Sequence, residues 1–409
     1  MTESAQGPLL TDSQSLQRLD LDSSQPATWE DGLRSPGLES GEWEWWYADA
    51  HIQDGWFLQV AFFYITEGDG PKTGLINLNI AKDGKKLSDL HKRMGNLPSD
   101  IVVAKDHCDL QYRKSYFRSV NGLSEYRIFV DPDEMEGLGF DVVIKRTTPS
   151  YRPGSGRWDV DGRHFSWFVA VPGGQLTGEV TANGTKTKVE GNAYHDHNWG
   201  NVPMETILDN WLWGRADVGG LSVVSASVRF PQDCGGREVP LLFVVRVNEV
   251  LVDVSDDQLV CLEGVKIEQP DTGKPTSSDC IYLVKSVPFQ LCQYRRESQR
   301  FVYDQSHQFD SMSQNKKAGH LALGQQPSDI NEQTAQQTSE VDQLAMIERT
   351  RNRSGEEIAA DSERLAAEAK RFYEEQMRIR SQKQKEQMIY TAKLALPVAF
   401  IVGAWYWLW

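Results

Sequence analysis

The densest run of chemically useful side chains is Gly191-Asn192-Ala193-Tyr194-His195-Asp196-His197-Asn198-Trp199-Gly200. It follows Asn183-Gly184, a pair suited to the left-handed backbone of a two-residue hairpin turn. The run therefore reads as a strand, and strand side chains alternate between faces. Tyr194, Asp196 and Asn198 fall on one face, and His195, His197 and Trp199 on the other. Three readings compete. His195 and His197 could ligate a metal, with Asp196 or a further histidine (His51, His164) completing the set, although no HExxH pattern is present. Alternatively, Asp196 faces an apolar cavity beside Tyr194. Desolvation would then raise its pKa and keep it protonated, as a general acid requires. The third reading is a buried polar network that pins a strand crossing between domains.

Three further constellations matter. In Glu42-Trp43-Glu44-Trp45-Trp46-Tyr47, alternation sets Glu42, Glu44 and Trp46 against Trp43, Trp45 and Tyr47. A carboxylate among indoles suits a cationic transition state, because aromatic faces attract positive charge. Trp211-Leu212-Trp213-Gly214-Arg215-Ala216-Asp217 places two Trp on one face, and His164-Phe165-Ser166-Trp167 adds another indole. There is no glycine-rich phosphate loop, no GxSxG elbow before a helix and no cysteine in a recognisable nucleophile context. The chemistry that remains is acid–base work with no nucleotide, no cofactor and no assigned metal.

The elements that would carry these residues are short strands. Gly55 to Tyr64 (GWFLQVAFFY) reads as a strand buried on both faces, and Leu75 to Ile80 and Tyr126 to Val130 alternate. Phe140, Val142 and Ile144 share a face. Further strands are expected over Leu221 to Phe230 and over Leu241 to Val254, the latter turning near Asn248-Glu249. Short strands separated by turn residues, with no long amphipathic helix before about residue 350, predict a mainly β sandwich or barrel.

The net charge of −15 argues against a nucleic-acid partner. Thirteen Trp supply large apolar area with one N–H each, which suits cavities and interfaces. The five cysteines are odd in number and lack zinc-finger spacing, and the first residues carry no secretory signal, so reduced thiols in a cytoplasm-facing body are expected. Residues 1–28 read as a disordered leader. Residues 305–353 are polar and read as a flexible linker. A charged helix is expected over 354–392, opened by the capping box of Ser354 and Glu357. Only one column of its heptad is apolar, which predicts weak self-association at most. Residues 393–409 end in an uncharged stretch (LALPVAFIVGAWYWLW) that spans about 24 Å as a helix. With a basic cluster before it and Trp at its far end, it reads as a single-pass membrane anchor.

Glu44-Trp45-Trp46-Tyr47-Ala48-Asp49-Ala50 resembles the Glu-Trp-Trp-Tyr block that opens carotenoid 1,2-hydratases (hydroxyneurosporene synthases) and AttH-like proteins. Tyr194 to Gly200 and Trp211 to Gly214 resemble two later blocks, in the same order. The resemblance covers about residues 38 to 300. It implies two tandem lipocalin-like antiparallel β domains, over 29–200 and 201–304, with an apolar ligand site at or between them; the second lacks the late strands expected to close it. It also implies a membrane-associated, cofactor-independent hydratase, cyclase or isomerase acting on an isoprenoid or polyene. Asp196 would be the acid, with Tyr194 and Trp167 beside it; Glu44, Trp46, His195, His197, Trp199, Trp211 and Trp213 would line the substrate. Phe165 stands where the hydratases carry a histidine. The alternatives are a lipid or isoprenoid carrier on the same fold and a tethered scaffold whose helix recruits partners.

Overall fold

A computed structural model describes residues 9–35, 41–66, 72–96, 100–218 and 220–263, and four short strands beyond them. The described residues divide into two compact units, one up to Leu259 and the other from Val260 on.

The first unit is built on a large antiparallel sheet. Its strands are β1 (Trp43–Ile52), β2 (Trp56–Thr66), β3 (Lys72–Lys82), β4 (Lys85–Asn96), β5 (Ile101–Val103), β6 (Asp109–Tyr112), β7 (Ser115–Ser119), β8 (Glu125–Val130), β9 (Leu138–Arg146), β10 (Arg157–Val160), β11 (Arg163–Ala182) and β12 (Thr185–Gly200). The order is β4-β3-β2-β1-β12-β11-β9-β8-β7-β6-β5, with β10 paired to β11. The terminal strands β4 and β5 approach each other, so the sheet curls into a nearly closed barrel. Four more strands, β13 (Asn210–Val218), β14 (Leu221–Arg229), β15 (Glu238–Arg246) and β16 (Glu249–Ser255), form a second antiparallel sheet in that order.

The wall formed by β1, β2, β11 and β12 is buried on both sides, which explains why its sequences do not alternate. On β2, Leu58, Val60, Phe62 and Tyr64 enter the barrel core, while Ala61, Phe63 and Ile65 enter a second core outside the barrel. That outer core also takes Trp43, Trp45 and Tyr47 of β1, and it is closed by Val224, Ala226 and Val228 of β14 and Leu241 and Phe243 of β15. The Asn183-Gly184 turn joins β11 to β12 with φ of 49° and 77°, as a hairpin of that sequence requires. The β15–β16 turn falls at Val247-Asn248, one residue earlier than the sequence suggests.

The leader expected over 1–28 is a correction. Among its residues 9–28, Leu9 is buried, the Leu10 N–H donates to the Arg157 carbonyl at 3.0 Å, and Asp12 caps a short helix, α1 (Ser13–Arg18). Two leucines suffice to add an edge bridge beside Trp158, a local event that average polarity hides.

In the second unit, β17 (Leu259–Glu263), β20 (Cys280–Val284) and β21 (Phe289–Leu291) form a three-stranded sheet, and β18 (Lys266–Glu268) pairs with β19 (Pro275–Ser277). The linker, charged helix and membrane anchor expected over 305–353, 354–392 and 393–409 lie outside the described residues. Among the described residues, no helix is long and apolar enough to cross a membrane.

Candidate active site

β12 lies between β1 and β11, and this double pairing fixes every side chain along it. Tyr47 faces Asp196 across β1, and Trp167 is paired with Asn198 across β11. On the outer face, Asp196 is 2% exposed and accepts three hydrogen bonds. Oδ2 takes the Tyr194 hydroxyl at 2.7 Å and the Trp167 indole N–H at 2.8 Å; Oδ1 takes the Asn198 amide at 2.9 Å. Burial raises the Asp196 pKa to about 6, against the opposing pull of the Tyr194 and Trp167 hydrogen bonds. Burial and the Asp196 charge push the Tyr194 hydroxyl well above its ordinary value, so it stays a proton donor.

A small cleft of about 30 Å³, partly open to solvent, lies beside this group. Asp196 and Asn198 are its polar lining. Trp45, Trp167, Trp211 and Trp213 surround them with indole, and Phe165 and Leu208 add apolar area. Behind Tyr194 lies a second polar group. The Tyr47 hydroxyl donates to Asp49 Oδ2 at 2.9 Å, and Arg215 Nε of β13 donates to Asp49 Oδ1 at 2.6 Å. Arg215 Nη1 also reaches Asp217 at 2.7 Å, and its guanidinium lies 6.0 Å from the Tyr194 ring centre. This buried ion pair ties the second sheet to β1 beside Tyr194.

The expected lining residues do not share one site. Trp211 and Trp213 join Asp196, Tyr194 and Trp167 at the cleft. Glu44, Trp46, His195 and His197 point the other way, into the barrel, with Trp199 packed against that core. They therefore do not line this cleft, and the reason is the strand period itself: residues of opposite parity on β1 and β12 leave the sheet on opposite sides. Inside the barrel, His197 stacks on Trp46 at 4.3 Å and lies beside Trp199 at 4.8 Å. His197 Nε2 lies 3.4 Å from Glu44 Oε2. Burial raises the Glu44 pKa to about 8 and lowers that of His197 to about 3, so a protonated carboxyl facing a neutral imidazole is the favoured pair. The metal set of His195 and His197 with Asp196 does not assemble, because Asp196 is on the far side of the strand.

Asp49 and Arg215 are the functional neighbours that sequence reasoning passed over. The signal was present: Arg215 has the parity of Trp211 and Trp213, and Asp49 that of Tyr47.

No family model matches the chain. A hydroxyneurosporene dehydrogenase from Chlorobaculum tepidum is 26% identical over 215 residues, covering 43% of this chain and 53% of that protein. The chain thus spans about half the length of the curated relative it matches. Among solved structures, an AttH protein from Nitrosomonas europaea matches 63% of this chain and 83% of its own at 15% identity and a TM-score of 0.48. Kievitone hydratase from Nectria haematococca matches 69% and 83% at 14% identity and a TM-score of 0.40. The chain resembles the AttH-like, lipocalin-like hydratase family. Within that resemblance, Tyr194-His195-Asp196 matches the Tyr-x-Asp motif and Trp167 the upstream indole; here the three side chains meet through Asp196 Oδ2. Phe165 lines the cleft where the hydratases carry histidine.

Proposed function

We propose that this protein is a cofactor-independent, acid-catalysed hydratase, cyclase or isomerase, acting on a carbon–carbon double bond of an apolar isoprenoid or polyene held in the indole-lined cleft. The observation that carries this reading is the Asp196 carboxyl, buried with three hydrogen-bond donors at the wall of an aromatic cleft.

In its protonated form Asp196 delivers a proton to one alkene carbon. The π pair forms the new C–H bond and leaves a carbocation, which the faces of Trp45, Trp167 and Trp211 stabilise. The donors from Tyr194, Trp167 and Asn198 stabilise the carboxylate as its charge develops. Three endings balance the step. Water adds to the cation and returns a proton to Asp196, giving hydration. A neighbouring carbon loses the proton, giving isomerisation. A second double bond attacks and a proton then leaves, giving cyclisation. The absence of histidine at Phe165 favours an ending in which water is not the nucleophile. The four-stranded sheet is proposed to belong to the second lipocalin-like domain. A C-terminal anchor over 393–409, with the body facing the cytoplasm, would hold the cleft beside the phase in which such substrates dissolve.

A carrier of unaltered lipid would use the same cleft. Mass spectrometry of apolar molecules that copurify with the detergent-solubilised protein separates the two. An isoprenoid or polyene retained unaltered by Asp196→Asn and converted by the wild type supports the enzyme; the same unaltered molecule in both supports the carrier.

A further inference from the structure

The barrel interior holds a second chemical cluster, on the opposite side of β12 from the cleft, which the proposed reaction does not use. It is formed by Asp31, Cys108 and His195, all fully or almost fully buried, with one ligand-type atom of each lying within 4.8 Å of the others. They arrive from three separate places. Asp31 ends the 3₁₀ turn Thr28–Asp31, Cys108 immediately precedes β6, and His195 is in mid-β12. Gly32 lets the first two approach: a Cβ there would lie 2.4 Å from the Lys105 carbonyl oxygen and 2.8 Å from the His107 nitrogen. The Leu33 N–H donates to the Ala104 carbonyl at 2.9 Å and closes the same contact.

The hydrogen bonds prepare His195 as a ligand. Its Nδ1 lies 2.8 Å from the Tyr47 carbonyl, which can only accept, so the proton is on Nδ1. Nε2 faces Asp31 Oδ2, 3.1 Å away, so without a metal a proton lies between them. Two lone pairs at that distance need a cation between them, either a proton or a metal ion. Asp31 Oδ2 also accepts the Tyr126 hydroxyl at 2.7 Å, while Oδ1 is buried with no hydrogen-bond partner. A backbone carbonyl on the far imidazole nitrogen and a hydroxyl on the carboxylate are the outer contacts that orient metal ligands.

We propose that Asp31, Cys108 and His195 bind one divalent ion of the zinc class inside the barrel, as a staple that holds the 28–35 segment and the Cys108 loop to β12. Thiolate, imidazole and carboxylate together favour zinc over the harder divalent ions. The charges balance. Binding expels the Cys108 thiol proton and the proton shared by His195 and Asp31, and two positive charges enter as two leave. The complex is neutral, as a dry interior requires. The strand closes the site on the cleft side, away from Asp196, and one water completes the tetrahedral set of four ligands.

The test uses the full-length protein, metal-stripped and refolded with cobalt(II) as the probe. One equivalent of tightly held cobalt is expected, with a thiolate-to-cobalt charge-transfer band and tetrahedral d–d bands. Cys108→Ser should lose the charge-transfer band and retain less than about a tenth of the cobalt, while Cys234→Ser, which alters another buried thiol, should leave both unchanged. Asp31→Asn should weaken binding without removing the band. If Cys108→Ser does not fold, X-ray absorption of the wild-type cobalt protein decides through the presence or absence of one sulfur neighbour. Failure of the wild type to hold stoichiometric cobalt overturns the proposal, as does a thiolate band that survives Cys108→Ser.

Discussion

Asp196 is set apart from an ordinary buried carboxylate by what surrounds it. Three neutral donors stabilise its ionised form without neutralising it, and indoles line the cleft at whose wall it lies buried. Asp196→Asn keeps the shape and removes the transferable proton. Turnover should fall by roughly 10²- to 10⁴-fold with little change in melting temperature, as read by product formation and thermal unfolding of the same sample. Tyr194→Phe removes one donor to a charged acceptor, an interaction of about 1.5–3 kcal/mol, and should lower the rate by roughly 10- to 100-fold while ligand retention persists. Arg215 acts through Asp49 and is a positioning residue. Arg215→Met strands the buried Asp49 carboxylate and should cost about 3–5 kcal/mol in denaturant unfolding; restoring most of that loss with Asp49→Asn in the same chain would identify the stranded charge as its cause.

At the scale of elements, the wall of β1, β12 and β11 decides which residues can cooperate. A period of two made the separation of Tyr194 and Asp196 from His195 and His197 legible in the sequence, as it did for Glu44 against Trp45. The doubly buried β2 and the Asn183-Gly184 turn were legible for equally local reasons. Asp31 and Cys108 were not, because each reaches His195 across more than eighty residues of chain and nothing local announces the meeting. β11 was obscured in another way: two register shifts, between Phe168 and Val171 and between Val171 and Gly174, break the parity that a reader would count along. The wall also predicts its own weak point. A Cβ at Gly191 would lie 2.2 Å from the His51 carbonyl oxygen of β1, whereas one at Gly184 meets nothing within 4 Å. Gly184→Ala should therefore cost only about 1–2 kcal/mol, from its left-handed backbone. Gly191→Ala should cost distinctly more, because β1 must move; comparing the two unfolding midpoints checks this.

At the scale of the molecule, two cores share one wall and the second sheet roofs the cleft. Tyr151 stacks on Phe243 at 4.3 Å and meets Trp167 edge-on at 6.2 Å, so it links the roof through Trp167 to Asp196. Phe243→Ala should cost about 3–5 kcal/mol and reduce turnover as well, a pairing that loss of core packing far from the cleft would not give. Stability should also fall in acid. His164 titrates near 6.5 when unfolded and at about 4 when folded, because burial disfavours its charge. The unfolded chain therefore binds the extra proton first. The stabilisation is complete above pH 6.5 and is lost as the pH falls towards 4, by up to roughly 3 kcal/mol. His164→Gln should flatten that part of the melting-temperature profile.

Proton delivery from Asp196 to carbon is the central claim, and deuterium tests it most directly. Full-length protein incubated in D2O with the isoprenoid or polyene it retains should give a product carrying one non-exchangeable deuterium on carbon, located by mass spectrometry and NMR, with no such product from Asp196→Asn. A product formed without deuterium on carbon, or the same labelled product from Asp196→Asn, would contradict the account.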